Sequence, residues 1–361
     1  MIIEIIAVLV AVTAVIWVIT AVFLSAPDHS SFDEPRHDLH IDKSSVSAAN
    51  VEVLRLVKEM QNQLRGVSKA KRLFKLRCIF DEGFTESPNE AEQLGVTITP
   101  VDAGGVSAEW IVAPGASTDR RLLYIHGGAF TIGSPRSHRM ITSALSKACG
   151  VSVLSIDYRL MPEHRRKAAI TDSQAALRFM LANGPSGKNH AHKVYVAGDS
   201  AGGNLTLMLS AWARDEKLEP ITGIIAFSPS TDSTATNPSM RANIETDPML
   251  GPGLGPVARL PAPIRSLIVL VAGQLRPHNP LLSPLFGDLS NLPPTLVQVS
   301  DCEMLHDDAI RYVNKATAQR SPVTLQIWPD MVHVWQMFQH VSPEARLSIE
   351  EVAKFIAANS D

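Results

Sequence analysis

Short apolar runs alternate with longer amphipathic stretches along most of this chain, from about residue 93 to the end. The short runs predict strands, and the stretches with apolar positions three and four residues apart predict helices. The predicted strands are 95–101, 106–113, 121–126, 151–157, 193–198, 222–228, 295–300 and 323–328, and the predicted helices are 137–149, 171–183, 201–215, 306–319 and 343–358. Nearly continuous apolar strands separated by helices are typical of a parallel sheet covered on both faces. The pattern therefore predicts an α/β domain over residues 93–361.

Two segments depart from this rhythm. Residues 49–92 precede the sheet and begin with apolar positions at helical spacing, so we expect them to form N-terminal cap helices. The first of these helices, over 49–67, fits either simple packing or a lid over an active site. Residues 229–265 are rich in Pro, Gly, Ser and Asn, and we expect them to leave the sheet as an insertion that contributes to the cap.

The N-terminus has a different character from the rest of the chain. No charged residue occurs between Ile5 and Leu24, and a helix of this length spans roughly 30 Å, the thickness of a bilayer core. We therefore predict a transmembrane anchor over residues 1–24, followed by a polar linker over 25–48, and a single-pass membrane localisation. A cleaved signal peptide and a buried helix are the alternatives, and Glu4 in place of a basic leader argues against the first. The orientation is left open, since no Lys or Arg precedes the span.

Composition excludes several classes of protein. The 361 residues are 45% hydrophobic and 19% charged, which fits a globular domain with a sizeable core. With 33 basic and 36 acidic side chains, the formal charge of −3 gives no basic excess, so we expect no nucleic-acid partner. Three cysteines without paired spacing favour neither a disulfide framework nor a metal site, and we predict no bound metal.

A Gly-x-Ser-x-Gly motif at residues 198–202 lies between a predicted strand and a predicted helix. That context places Ser200 on a strained turn, with its hydroxyl exposed at the carboxyl edge of the sheet. A serine nucleophile needs a base and a site for the oxyanion. A His126-Gly127-Gly128 turn follows an earlier strand and can supply aimed backbone N–H groups. The predicted oxyanion donors are the amides of Gly127, Gly128 and Ala201.

The remaining catalytic candidates follow the last two strands. His333 is the predicted base, because triads on such sheets run in the chain order serine, acid, histidine, each after a strand. Four carboxylates between residues 301 and 308 compete for the acid position. Asp307 and Asp308 begin a predicted helix, where negative charge is favourable in any case. Glu303 and Asp301 remain as candidates.

These motifs together resemble the hormone-sensitive lipase family, the bacterial family IV esterases of the α/β-hydrolase fold. Residues 126–130, beginning with His126, look like its oxyanion signature, and residues 198–204, including Asp199, match its nucleophile signature. Residues 157–164 are similar to its Asp-Tyr-Arg-Leu-Ala-Pro-Glu segment, and the resemblance covers about residues 90–345. Alignment with the family's acid segment puts Glu303 at the acid position, with Asp301 as the alternative.

The resemblance implies an α/β-hydrolase fold with a helical cap and a serine carboxylesterase that hydrolyses short-chain acyl esters through an acyl-enzyme on Ser200. It implies a small-molecule ester substrate and no cofactor, and it leaves a homodimer open. An amidase or deacetylase similar to the membrane-tethered arylacetamide deacetylases is the alternative. A non-catalytic ligand-binding homologue, like the plant gibberellin receptors, is disfavoured because those proteins lack the histidine that this chain keeps as His333.

One departure from the family pattern lies just after residue 164. Relatives often continue there with Pro-Phe-Pro, whereas this chain has Arg165-Arg166-Lys167. We therefore expect a more polar and more mobile loop at this point.

Overall fold

The computed structural model describes residues 2–34, 47–83, 92, 94–218 and 220–360. All four predicted segments fall partly outside the described residues. The positions outside are residue 1 of the anchor, residues 35–46 of the linker, residues 84–91 of the cap, and residues 93, 219 and 361 of the main domain.

A mixed eight-stranded sheet forms the centre of the molecule, in the order β1-β2-β4-β3-β7-β8-β9-β10. Its strands are β1 (Thr97–Asp102), β2 (Ser107–Val112), β3 (Ser117–Ile125), β4 (Val151–Ile156), β7 (Lys193–Asp199), β8 (Gly223–Phe227), β9 (Thr295–Ser300) and β10 (Val323–Trp328). Only the pairs β1–β2 and β2–β4 are antiparallel, and the other neighbours run parallel. A separate ribbon joins β5 (Asn183–Gly184) and β6 (Gly187–Lys188). The predicted, mainly parallel sheet is confirmed.

Helices precede the sheet and cover both of its faces. They are α1 (Ile2–Phe23), α2 (Ala49–Asn62), α3 (Lys69–Gly83), α4 (Arg139–Cys149), α5 (Arg166–Ala182), α6 (Ser200–Asp215), α7 (Ser239–Ala242), α8 (Gly251–Ala258), α9 (Ala262–Gly273), α10 (His306–Ala318) and α11 (Pro343–Ala358). Single 3₁₀ turns lie at Ser30–Phe32, Arg136–His138, Pro284–Phe286 and Trp335–Phe338.

Two apolar cores lie on opposite faces of the sheet. On one face α5, α6 and α10 bury side chains such as Leu205 and Ile310 against the strands. On the other face α4 and α11 bury Ile141 and Ile349, and α2 adds Val57. Strands that are buried on both faces have no polar side, which explains their continuous apolar runs. The sheet is therefore held between two layers, with its carboxyl edge left open for loops.

The polar segment after residue 164 is helical rather than a loop. Helix α5 begins at Arg166 and not at the predicted residue 171. Arg166 is buried, while its neighbours Arg165 and Lys167 are exposed. Three consecutive basic residues indicated an exposed loop. One of them, Arg166, is buried and begins the helix instead.

The insertion after β8 contains more helix than its composition indicates, and it extends to Gly273. It holds α7, α8 and α9, and α8 covers a Gly- and Pro-rich stretch for which the sequence pattern predicted no helix. A Cβ atom at Gly255 would lie 2.8 Å from Ile244 Cγ2, and one at Gly251 would lie 2.1 Å from the Ile244 carbonyl oxygen. The glycines thus serve close packing of a short helix rather than a turn.

The predicted membrane anchor is wrong. Within the described ranges, none of the helices combines the length and apolar character that crossing a bilayer demands. The apolar N-terminal stretch, as α1, packs instead against α9, and Thr20 and Leu24 are buried at its end. Because protein contacts account for this part of the segment, the membrane localisation inferred from it is withdrawn.

Candidate active site

Ser200 lies at the junction where β7 turns into α6. Its φ of +52° is a left-handed conformation that is unfavourable for a serine. The turn is tight because the backbone of β3 runs directly beside it, so that a Cβ at Gly202 would lie 1.9 Å from the Ile125 carbonyl oxygen. At Gly198 a Cβ would lie 2.6 Å from the same atom. Glycine at both positions therefore allows the elbow to form and holds the Ser200 hydroxyl above the sheet edge.

The structure brings His333 and Glu303 to this serine. His333 Nε2 lies 2.9 Å from Ser200 Oγ, and His333 Nδ1 lies 2.5 Å from Glu303 Oε2. Ser200 follows β7, Glu303 follows β9 and His333 follows β10, so three strand ends supply the three side chains. Nδ1 then carries the proton that it donates to Glu303, which leaves the Nε2 lone pair directed at the serine hydroxyl.

Glu303 is fully buried and fixed by two further donors. Its Oε1 accepts hydrogen bonds from the Ser300 amide at 2.6 Å and from Ser228 Oγ at 2.9 Å. The alternative acid, Asp301, points elsewhere, and its Oδ1 accepts the amide of Asp330 at 2.8 Å. Ser228 lies in a loop after β8 and was not singled out from the sequence, where Phe227-Ser228-Pro229 carries no recognisable motif.

The charge of Glu303 controls the protonation of His333. Burial alone lowers the pKa of His333, but the hydrogen bond to Glu303 and its negative charge outweigh burial, and the net pKa lies above the ordinary value. Asp247 and Asp199 act in the same direction from greater distance. The charged, protonated form of His333 is therefore favoured within the site.

The predicted oxyanion loop, residues 126–130, follows β3 and lies beside the elbow. Its Gly127 amide, one of the three expected donors, donates to Asp199 Oδ1 at 3.0 Å. A Cβ at Gly127 would lie 2.1 Å from Asp199 Oδ2, so this glycine is required for the close approach of the two segments. In this structure Gly127 therefore anchors the loop to the elbow, and its N–H does not face the serine.

The next two amides of the loop have a different environment. Gly128 and Ala129 both have positive φ, at +108° and +51°, and within the described part of the chain neither amide has an acceptor. Ala201 is in the first turn of α6, where backbone N–H groups have no partner inside the helix. Ala129 was missed from the sequence, although it directly follows the two glycines. Free amides at these three positions are the available oxyanion donors.

A buried polar network supports the loop from behind. Asp199 also accepts hydrogen bonds from Tyr124 Oη at 2.7 Å and from His138 Nε2 at 3.4 Å. His126 stacks on Tyr158 with the ring centroids 4.2 Å apart, and its Nδ1 donates to the Gly127 carbonyl oxygen at 2.7 Å. Burial, aided by the nearby His138, lowers the pKa of His126 to about 3, so this ring is neutral and structural. His126 and Asp199 therefore shape the loop and do not face the reacting atoms.

One group of metal-ligating side chains lies close to the site. Among the described residues, Asp301, Cys302 and Asp330 come near enough to share an ion. Burial, and then the neighbouring carboxylates, raise the pKa of the Cys302 thiol to about 12, which disfavours the thiolate that binds metals. We assign this group no metal.

Comparisons with known proteins agree with this architecture. The family model described as alpha/beta hydrolase fold matches residues 122–337. An acetyl-hydrolase of Streptomyces hygroscopicus is 37% identical over 257 residues, which are 71% of this chain and 81% of that protein. An esterase of Acinetobacter venetianus is 35% identical over 260 residues, covering 72% of this chain and 82% of that protein.

A carboxylesterase/phospholipase of Mycobacterium tuberculosis is 33% identical over 266 residues, covering 73% of this chain and 69% of that protein. Among solved structures, an esterase from the bacterial hormone-sensitive lipase family superposes with a TM-score of 0.74 and 32% identity, covering 87% of this chain and 98% of that one. The sheet order and the serine elbow define the class as an α/β hydrolase. The chain belongs to the α/β-hydrolase fold family, among the bacterial hormone-sensitive lipase esterases, and is a hydrolase that acts on ester bonds.

Proposed function

We propose that this protein is a serine carboxylesterase that hydrolyses short-chain acyl esters through an acyl-enzyme on Ser200. The observation that carries the proposal is the continuous chain of hydrogen bonds from Glu303 through His333 to Ser200 Oγ. Each of the three hydrogen-bonded groups has the partner that its proposed role requires. The nucleophile Ser200 lies beside the base His333, and the buried carboxylate of Glu303 orients that base.

The reaction proceeds in two halves. His333 Nε2 takes the hydroxyl proton as Ser200 Oγ bonds to the ester carbonyl carbon, and the carbonyl oxygen becomes an oxyanion held by the amides of Gly128, Ala129 and Ala201. Collapse of this intermediate breaks the ester bond, and His333 returns the proton to the departing alcohol. Water, activated in the same way by His333, then attacks the acyl-enzyme, which releases the carboxylic acid and restores the serine.

Preference for a short acyl group is supported by the relatives. The Streptomyces protein described above is named an acetyl-hydrolase, and its match covers 71% of this chain. We therefore expect acetyl and butyryl esters to be better substrates than long-chain esters. Each step uses only side chains and amides of the protein, so the proposed mechanism requires no cofactor. The substrate is a small-molecule ester, and homodimer formation stays a prediction.

The decisive experiment compares Ser200→Ala with the wild type on p-nitrophenyl esters of increasing chain length. Ser210→Ala is a matched control, because it removes a buried hydroxyl from the same helix away from the site. We expect Ser200→Ala to lose at least about 10³-fold in kcat, with Ser210→Ala close to wild type. Turnover by Ser200→Ala within about tenfold of wild type would refute the nucleophile assignment. A faster rate on a matched anilide than on the ester would replace the esterase by an amidase.

A further inference from the structure

Arg166 is a buried cation at the start of α5, next to the oxyanion loop. Its side chain is 2% exposed. Nη2 donates a hydrogen bond of 2.5 Å to Asn204 Oδ1, and the guanidinium carbon lies 3.7 Å from the centroid of the Phe130 ring. Its Nε and Nη1 have no acceptor within the part of the chain that the structure describes. The cation is thus held by one amide oxygen and one aromatic face.

A charge in this position is unfavourable unless it is compensated. Burial lowers the pKa of Arg166 to about 10, so the group remains protonated at neutral pH. An aromatic face attracts a desolvated guanidinium through its quadrupole, and the flat group stacks on the ring. The compensation therefore comes from the Asn204 oxygen and from the Phe130 ring, and it ties the position of this ring to that of Arg166.

Phe130 is the last residue of the oxyanion loop. It directly follows Ala129, and both residues have positive φ, at +61° and +51° respectively. Two adjacent residues with side chains in this conformation are strained and need surrounding contacts to hold them. The stacked guanidinium is such a contact, and it acts one residue away from the free amide of Ala129.

Asn204 connects the same guanidinium to the nucleophile. It lies one helical turn after Ser200 on α6, and its Nδ2 donates to the carbonyl oxygens of Ser230 and Leu282, both at 2.7 Å. The Ser230 amide in turn donates to the Ser200 carbonyl oxygen at 3.2 Å. Arg166 therefore bridges the oxyanion loop on one side and the helix that carries the nucleophile on the other.

We propose that Arg166 is a positioning residue that clamps Phe130 against α6 and so keeps the amides of Gly128 and Ala129 aimed at the oxyanion that forms on Ser200. This inference rests on the proposed function. Because the clamp acts on the oxyanion donors, its loss should weaken binding of the transition state more than binding of the substrate.

The test measures kcat and KM for p-nitrophenyl acetate, together with the inhibition constant of a trifluoromethyl ketone, whose adduct with serine places an oxyanion in the same site. The variants are Arg166→Met and Arg166→Lys. Arg178→Met is the matched control, because Arg178 lies in the same helix and also stacks on an aromatic ring, at 4.8 Å from the Trp212 centroid, but is half exposed and pairs with Glu216. Saturating fluorophosphonate labelling gives the number of active sites for each variant.

We expect Arg166→Met to lower kcat per active site by about 10- to 100-fold with KM changed by less than about threefold. The inhibition constant should rise in parallel with the loss in kcat. Arg166→Lys keeps the charge without the planar fork, and should lose about three- to tenfold in kcat. Arg178→Met should match wild type.

Three outcomes would overturn the proposal. The first is a wild-type kcat per active site in Arg166→Met or, if that variant does not fold, in Arg166→Lys. The second is a change confined to KM, and the third is an inhibition constant that does not follow kcat. If the wild type hydrolyses esters and Ser200→Ala does not, such a result removes this inference alone. If the wild type is inactive, the proposed function fails and this inference fails with it.

Discussion

The hydrogen bond between Glu303 and His333 is the contact that decides the working pH of the site. It raises the pKa of His333 against the opposing effect of burial. Since only the neutral imidazole can accept the serine proton, activity should rise with pH through a value above about 6.5, the ordinary pKa of histidine.

Replacing Glu303 by Gln tests this relation. The variant loses the negative charge, so the pKa of His333 falls, and the rising limb of kcat/KM moves to lower pH. The maximum should fall by about 10²- to 10⁴-fold, because the imidazolium is no longer stabilised. Asp301→Asn is the control and should keep both the limb and the maximum, since its side-chain oxygen can still accept the Asp330 amide. If the rising limb of the kcat/KM profile stayed in place in Glu303→Gln, or moved in Asp301→Asn, a carboxylate other than Glu303 would be the partner of His333.

At this scale the sequence predicts side chains better than amides. Ser200 and His333 could be selected because each follows a strand, and strand ends of a parallel sheet meet at one edge. Strand position left Glu303 and Asp301 both open, and only the resemblance to the esterase family favoured Glu303. The direction of a backbone N–H depends on φ and on neighbouring segments, which no motif contains. Gly127 was therefore expected to face the serine but donates to Asp199, and Ala129, with its free amide, was missed.

The elbow between β7 and α6 depends on how closely it approaches β3. A Cβ at Gly202 would meet the Ile125 carbonyl oxygen at 1.9 Å. Since that atom belongs to the backbone of a central strand, the helix would have to move away from the sheet to relieve the contact. The elbow and the strand therefore act as one unit that positions Ser200.

Gly202→Ala should destabilise the fold by about 1–3 kcal/mol through overpacking. It should also reduce kcat, because the serine moves with the helix start. Gly253→Ala in α8 is the control, since a Cβ there has nothing within 4 Å, and it should leave the melting temperature the same or slightly raised. Thermal melts and ester turnover measure both effects. Equal melting temperatures and activities for the two variants would contradict this account.

Elements of regular pattern were predicted correctly, and those shaped by one unusual contact were not. The central strands follow from their apolar runs. The predicted start of α5 lies too far along the chain. The reason is that Arg166 is buried against Phe130, although its sequence neighbours are exposed. Helix α8 was not predicted within the expected cap insertion, because the packing of Gly255 on Ile244 is a tertiary contact. In each case the deciding partner is distant in sequence.

At the scale of the whole molecule, Arg311 of α10 joins the N-terminal segment to the sheet domain. It forms a bidentate pair with Asp33, whose Oδ2 lies 3.0 Å from Nη2, and it also reaches Asp232 Oδ2 at 3.5 Å. Behind it, Asp308 is fully buried, and burial followed by the charge of Asp232 raises the pKa of Asp308 well above its usual range. The Arg311 guanidinium therefore pairs with Asp33 and Asp232 and lies near the buried carboxyl of Asp308.

Arg311→Met should lower the free energy of unfolding by about 3–5 kcal/mol, because it leaves buried carboxylates without their cation. The matched control is Arg259→Met, whose exposed pair with Glu245 should contribute at most about 1 kcal/mol. Removal of the positive charge raises the pKa of Asp308 further. A carboxyl whose pKa is higher in the folded state than in the unfolded state costs stability once the pH exceeds the unfolded value.

The loss in Arg311→Met should therefore be larger above the folded-state pKa of Asp308 than below it, because the penalty of the wild type stops growing at that pKa while the penalty of the variant does not. Denaturant unfolding across the pH range measures this dependence. A loss that is independent of pH, or one no greater than that of Arg259→Met, would show that the carboxylates do not depend on this cation.

The loop that carries His333 is enclosed by two of the five tryptophans of the chain. Trp328 ends β10 and Trp335 begins the 3₁₀ turn that follows, and their buried rings lie 5.5 Å apart at 44° to one another. Indole emission depends on local polarity and on the relative placement of neighbouring rings. The protein thus carries an intrinsic fluorescent reporter beside its histidine, and we expect the proposed acylation of Ser200 to change its emission.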